Sequence, residues 1–167
     1  NHGDHVFFFF CLVGTMDLLG RTAELHIHGP LQVGDFIDFL LKTFYTDIGY
    51  KLIFHPIDVH QHTLVYEDRS ITVYSIPLQH RLPTCGYLFK EKPGLPHIRR
   101  EMIDAFNIPI SQINNIKAGA SWTTEDGTII PHERLTTPAK PPRSYAYCSD
   151  TVYLPELKNI LHGVTLL

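Results

Sequence analysis

Strand-like and helix-like segments alternate along this chain without an internal repeat, which limits the fold more than any other feature. Apolar periodicity and turn residues predict helices at 4–19, 31–44, 97–106, just after Pro109, and at 155–162. They predict strands at 23–28, 51–56, 63–66, 71–78, 86–90 and 144–148. Asp4 is the predicted cap of the first helix, Gly20 its stop, and Pro30 lies in the first turn of the second helix. The pattern predicts a layered α/β architecture.

Composition fits one ordinary globular domain spanning residues 1–167. The hydrophobic fraction is 44% and the charged fraction 19%, which excludes a disordered chain. The formal net charge of -3 gives no overall basic surface for nucleic acid. An enzyme with its basic residues on one local surface remains compatible with this charge.

Cysteine and apolar patterns bear on location. The three cysteines, Cys11, Cys85 and Cys148, are odd in number and far apart, which argues against a disulfide framework and for a reducing, cytoplasmic compartment. The longest apolar run, residues 6–13, is eight residues long. A membrane span needs about 20 residues, so we expect no membrane segment. No basic leader precedes the apolar run, so we expect no signal peptide either.

Two histidines and a carboxylate cluster at the start of the chain. His2, Asp4 and His5 surround a glycine, and imidazole and carboxylate together suit zinc, iron or manganese. His80 and Asp150 each follow a predicted strand, where α/β folds commonly build their sites. An aspartate can bridge two metals about 3.5–4 Å apart, which can activate a water for phosphoryl displacement. The pattern predicts a site that binds one or two such metal ions.

The order of these motifs resembles the metallo-β-lactamase superfamily and, within it, the ribonuclease Z family of tRNA 3′-processing endonucleases. The resemblance is carried by His-Gly-Asp-His at 2–5, Ile-His-Gly-Pro at 27–30, His80 followed by Gly-Tyr at 86–87, and Ser-Asp-Thr at 149–151. It implies a partial αβ/βα sandwich over 1–167 and an inserted exosite arm at 91–117. The proline-rich segment at 138–143 is also similar to that family.

The resemblance implies a role for each residue of the site. His2 and His80 would bind a first Zn²⁺, Asp4 and His5 a second, and Asp150 would bridge them, with Mn²⁺ or another divalent ion as an alternative metal. Asp4 would also be the catalytic general base for the attacking water. The reaction would cut precursor tRNA after the discriminator nucleotide and leave a 3′-hydroxyl.

The implied arm would hold the tRNA elbow through phosphate contacts, which position a substrate without reading its sequence. The candidate contacts in or beside the arm are Lys90, Lys92, Arg99, Arg100 and Lys117. Lys140 and Arg143, in the proline-rich segment, are further candidates. No DNA partner is expected. Family members are usually homodimers, and the Phe-rich first helix is a candidate dimer contact because its apolar surface needs a cover.

The chain departs from the family pattern in three respects, one of which is that the arm is only weakly basic, with five cations in or beside it against three anions. The motif His-x-His-x-Asp-His would place its first histidine before Asn1, and later histidine motifs would follow Leu167, so we expect a fragment that lacks both ends and is inactive alone. Phenylalanines at 7–10 replace a Gly-Leu-Pro-Gly-like stretch.

Other interpretations stay open at this point. A metallo-β-lactamase-fold hydrolase of small esters or thioesters would share the ligands, although such a substrate needs no arm. A non-catalytic RNA-binding or partner-binding fragment would need no complete metal site. The His26/His28 pair has no carboxylate at ligand spacing, so we assign it a structural role, and we assign His60 and His62 to a solvated loop.

Overall fold

The chain forms two compact units. The computed structural model describes residues 3–44 and 47–167, and the side chains of 8–44 and 47–167. The first unit comprises Asn1–Lys90 with Ser144–Leu167, and the second comprises Glu91–Arg143. The predicted arm at 91–117 falls inside the second unit, which begins at the same residue and continues to Arg143. The arm itself remains a prediction.

The first unit mixes helices and strands, so the predicted α/β class is confirmed. Its helices are α1 (Gly3–Leu18), α2 (Leu31–Phe44) and α6 (Leu157–Ile160). Its strands are β1 (Leu25–Gly29), β2 (Leu52–Pro56), β3 (Leu64–Glu67), β4 (Ile71–Pro77), β5 (Cys85–Glu91) and β10 (Ser144–Tyr147). None of the helices that the model describes is long and apolar enough to cross a bilayer.

Strands β1 and β2 pair in parallel, with Leu25 opposite Leu52 and Gly29 opposite Pro56. Parallel neighbours need a crossover, and α2 provides it. Gly34 lies inside α2, where glycine costs about 1 kcal/mol relative to alanine. The packing explains it, because a Cβ at Gly34 would come within 2.6 Å of the Phe54 ring. The glycine therefore lets the helix approach the strand pair.

The remaining strands form a four-stranded sheet in the order β10-β5-β4-β3. Its core face is built from Ile76, Leu88 and Ala146, all essentially inaccessible to solvent, and Leu157 and Ile160 from α6 pack against it. Truncating a buried leucine to alanine costs about 2–5 kcal/mol. This core supports the loops that follow β4 and β10.

The second unit has its own small core of Ile108, Ile116, Ile130 and Leu135. Its elements are β6 (His97–Ile98), α3 (Arg100–Ala105), α4 (Ile110–Lys117), β7 (Trp122–Thr123), β8 (Ile129–Ile130), α5 (His132–Leu135) and β9 (Thr136–Thr137). Strand β6 pairs with β9, and β7 pairs with β8, both antiparallel.

Three predicted helix boundaries were wrong. The helix predicted from residue 97 begins at Arg100, because His97 and Ile98 pair with β9 and satisfy their backbone groups there. Helix α1 already includes Asp4, so Asp4 is not its N-cap, a shift within the usual uncertainty of helix ends. Helix α6 covers only the middle of the predicted 155–162 segment.

Four short elements were not predicted at all: β7, β8, α5 and β9. Each contains only two to four residues. Segments this short have no measurable apolar period, so sequence patterns cannot identify them.

Candidate active site

His80 and Asp150 lie in two neighbouring loops of the first unit. His80 follows β4 and is half-buried, and Asp150 follows β10 and is exposed. The Leu82 N–H donates a long hydrogen bond of 3.5 Å to His80 Nδ1. The prediction that His80 and Asp150 each follow a strand is confirmed, because β4 ends at Pro77 and β10 ends at Tyr147.

Hydrogen bonds join these two loops directly beside both residues. The Gln79 N–H donates to Thr151 Oγ1 at 3.2 Å, and the Val152 N–H donates to the Gln79 carbonyl at 2.9 Å. The Thr151 hydroxyl donates in turn to the Val152 carbonyl at 2.9 Å. We call Gln79, Thr151 and Val152 the loop clamp. It holds the backbone of the His80 loop against that of the Asp150 loop, which lies 70 residues further along the chain.

Glycine allows β5 to come close to β10, the strand that precedes the Asp150 loop. A Cβ at Gly86 would lie 2.5 Å from the Tyr147 carbonyl oxygen, closer than side chains tolerate. Strand β5 can therefore pair with β10 at Tyr87 and Tyr147, immediately before the Asp150 loop. The Gly-Tyr pair noted in the sequence thus has a packing reason.

Tyr87 fastens β1 to the four-stranded sheet. Its hydroxyl donates to the His28 carbonyl at 3.1 Å. Burial, together with the neighbouring Cys85, raises the pKa of Tyr87 far above its usual range. The phenol therefore stays protonated at neutral pH and acts as an anchor between the sheets.

The other predicted metal ligands cannot be placed beside this pair. His2 lies outside the described residues, and Asp4 and His5 fall in α1 at positions whose side chains are not described. Among the residues that are described, no group of three or more histidine, cysteine or acidic side chains is arranged to hold a metal. The imidazole of His80 and the carboxylate of Asp150 do match the donor chemistry of zinc. The complete ligand set remains a prediction.

Three histidines stack where β1 and β2 pair. The rings of His28 and His55 lie 4.5 Å apart, those of His26 and His55 5.1 Å apart, and His26 Nδ1 is 2.8 Å from His55 Nε2. Burial, then the neighbouring His55 and His26, lowers the pKa of His28. The sequence did not reveal that His55 joins this stack, because only the parallel register of β1 and β2 brings it opposite His28.

The candidate phosphate contacts are in different environments. Arg143 pairs with Glu91 through Nη2–Oε1 at 2.9 Å and Nε–Oε2 at 3.4 Å, which lowers the pKa of Glu91 and raises that of Arg143. Arg99 Nε donates to the Thr136 carbonyl at 3.3 Å. The Arg143–Glu91 pair was not predicted, because 52 residues separate the partners.

The other four candidate phosphate contacts in the second unit differ in exposure. Arg100 and Lys140 are exposed, and Lys92 and Lys117 are half-buried. In the first unit, Lys90 is exposed and its Nζ lies 5.4 Å from the centre of the Tyr74 ring. Phosphate binding by these residues remains a prediction.

Curated relatives named ribonuclease Z match nearly the whole chain. Ribonuclease Z of Bacteroides fragilis is 50% identical over 166 residues, that of Bacteroides thetaiotaomicron 47%, and that of Porphyromonas gingivalis 46%. Each alignment covers 99% of this chain. These matches confirm the resemblance to ribonuclease Z.

The chain spans about half the length of these relatives: 55%, 52% and 55% of them in the same order. Among solved structures, human tRNase Z, short form, is similar with a TM-score of 0.48 and 25% identity, over 55% of this chain and 41% of that one. No protein-family model matches.

Proposed function

We propose that the protein containing this chain is an endoribonuclease of the ribonuclease Z type, which removes 3′ trailers from precursor tRNA. The observation that carries the proposal is the 46–50% identity to proteins of that name over 99% of the chain. We propose that residues 1–167 form part of a metallo-β-lactamase-type αβ/βα sandwich with an exosite arm at 91–117.

The proposed site needs two divalent metals, and the residues that would hold them are His2, His80, Asp4, His5 and Asp150. Zinc, or manganese in its place, would supply positive charge for the developing charge on the phosphate. Asp4 would accept the proton of the attacking water at a carboxylate oxygen. The loop clamp supports this assignment, since it fastens the backbone next to His80 to that next to Asp150.

Substrate positioning would fall to the cations of the second unit. A phosphate backbone is bound by lysine and arginine side chains in a salt-dependent manner. Arg100 and Lys140 are the strongest candidates in this unit because both are exposed and, unlike Arg143, neither pairs with a described carboxylate. We place the protein in the cytoplasm as a homodimer, with RNA and not DNA as its substrate.

The test is cleavage of a precursor tRNA that carries a 3′ trailer by the full-length protein, with and without a chelator. We expect a cut after the discriminator nucleotide that leaves a 3′-hydroxyl and is lost on chelation. Asp150→Asn should abolish this cleavage. Asp35 is an exposed residue on α2, and Asp35→Asn should leave the cleavage unchanged.

Two outcomes would replace the proposal. Tight RNA binding that survives chelation without any cut would indicate an RNA-binding module. Hydrolysis of small esters or thioesters without cleavage of RNA would indicate another hydrolase with the same metal ligands.

A further inference from the structure

The second unit contains a groove that none of the proposed functional residues lines. Its volume is about 580 Å³. We call it the hairpin groove, because the β7–β8 hairpin forms one side and the segment after α3 the other. Its lining comprises Ala105, Phe106, Asn107, Pro109, Trp122, Thr123, Thr124, Glu125, Asp126, Thr128 and Ile130.

An aromatic side chain is held firmly in this lining. Trp122 Nε1 donates to the Phe106 carbonyl at 3.2 Å, which fixes the indole ring. Both side chains also pack against the buried core around Ile108 and Ile130. The groove therefore offers a rigid aromatic surface, and little conformational entropy is lost there when a ligand binds.

Carboxylates give the groove a negative rim. Asp126 accepts hydrogen bonds from the Thr124 hydroxyl and, at 3.2 Å each, from the Thr128 N–H and hydroxyl. These bonds lower its pKa, led by the one from Thr124, so Asp126 is ionised at neutral pH. Glu125 is exposed and makes no hydrogen bond or ion pair with any other described residue. No lysine, arginine or histidine is among the described lining residues.

We propose that the hairpin groove binds the guanidinium group of an arginine side chain on a partner protein. A guanidinium stacks on an aromatic ring and pairs with a carboxylate at the same time, and Trp122 and Glu125 offer both contacts in one groove. A nucleic-acid strand is the poorer fit, because its phosphates are repelled by Glu125 and Asp126. This site goes beyond the proposed cleavage reaction, which does not depend on it.

Trp122 is the single tryptophan of the chain and reports on the groove directly. The experiment titrates the full-length protein with N-acetyl-arginine amide while its tryptophan fluorescence is recorded. The response of the Trp122→Phe variant is subtracted as the blank. We expect a saturable change with the arginine compound and none with N-acetyl-citrulline amide, its neutral isostere.

A matched pair of variants assigns the binding to the rim. Glu125→Gln should weaken the arginine affinity about two- to fivefold, the range of an exposed ion pair. Glu133→Gln, also exposed in this unit but outside the groove, should leave it unchanged. Equal responses to arginine and citrulline, no saturable response, or equal effects of the two variants would overturn the proposal. So would saturable binding of guanosine monophosphate that depends on Glu125.

Discussion

Replacing Thr151 by valine tests whether the loop clamp positions the candidate site. Valine keeps the shape of threonine but removes the hydroxyl that accepts the Gln79 N–H at 3.2 Å and donates to the Val152 carbonyl at 2.9 Å. A net hydrogen bond contributes about 0.5–1.5 kcal/mol. Water can replace part of both bonds, because Gln79 and Thr151 are exposed. We therefore expect the free energy of unfolding to fall by about 1 kcal/mol.

The larger effect should appear in metal binding. A residue that orients a ligand typically changes metal affinity about 10–100-fold when it is lost. Zinc affinity of the full-length protein, measured by competition with a chelating dye, should fall about tenfold in Thr151→Val. Thr151→Ser keeps the hydroxyl and should restore it. Unchanged zinc affinity in the valine variant, with the same urea midpoint as the parent, would refute the idea that the clamp positions these loops.

Three further predictions concern packing and pH. Gly86→Ala should lower the free energy of unfolding, measured by urea titration, by about 1–3 kcal/mol. The reason is that the added Cβ would lie 2.5 Å from the Tyr147 carbonyl oxygen. A variant as stable as the parent would contradict this close approach. The pKa of Glu91 is lowered by Arg143, so its contribution to stability is present above the unfolded pKa of 4.5 and is lost as pH falls through the folded value. Glu91→Gln should flatten the acid limb of a stability–pH curve, and an unchanged limb would count against the pair. The pKa of His28 is lowered from 6.5, so stability should decline as pH falls through 6.5 and level off below the folded pKa. His28→Gln should reduce that decline in urea midpoints measured between pH 8 and pH 5, and a decline of unchanged size would reassign it to other groups.

Elements with a strong period were predicted well. The amphipathic pattern at 31–44 became α2 with the same bounds, and the strand predicted at 71–78 became β4 (Ile71–Pro77). Both segments are long enough for the spacing of their apolar residues to identify the type of element. The short elements of the second unit, such as α5 and the two-residue strands, depend on pairing partners distant in sequence.

The candidate site divides in the same way. His80 and Asp150 were predicted to be site residues because of their residue types and their positions after strands. Their metal-binding role remains a prediction, as do the roles of His2, Asp4 and His5. The loop clamp could not be foreseen, because it joins backbone and hydroxyl groups that carry no distinctive sequence signal.

By itself the sequence determined the α/β class, the principal helices and strands, and the resemblance to ribonuclease Z. These follow from residue type, local period and motif order, which are properties of neighbours along the chain. Only the tertiary structure decided that Gln79 bonds Thr151, that His55 stacks on His28, and that Arg143 pairs with Glu91. Such contacts arise from strand register and loop packing between distant residues, and no local pattern encodes them.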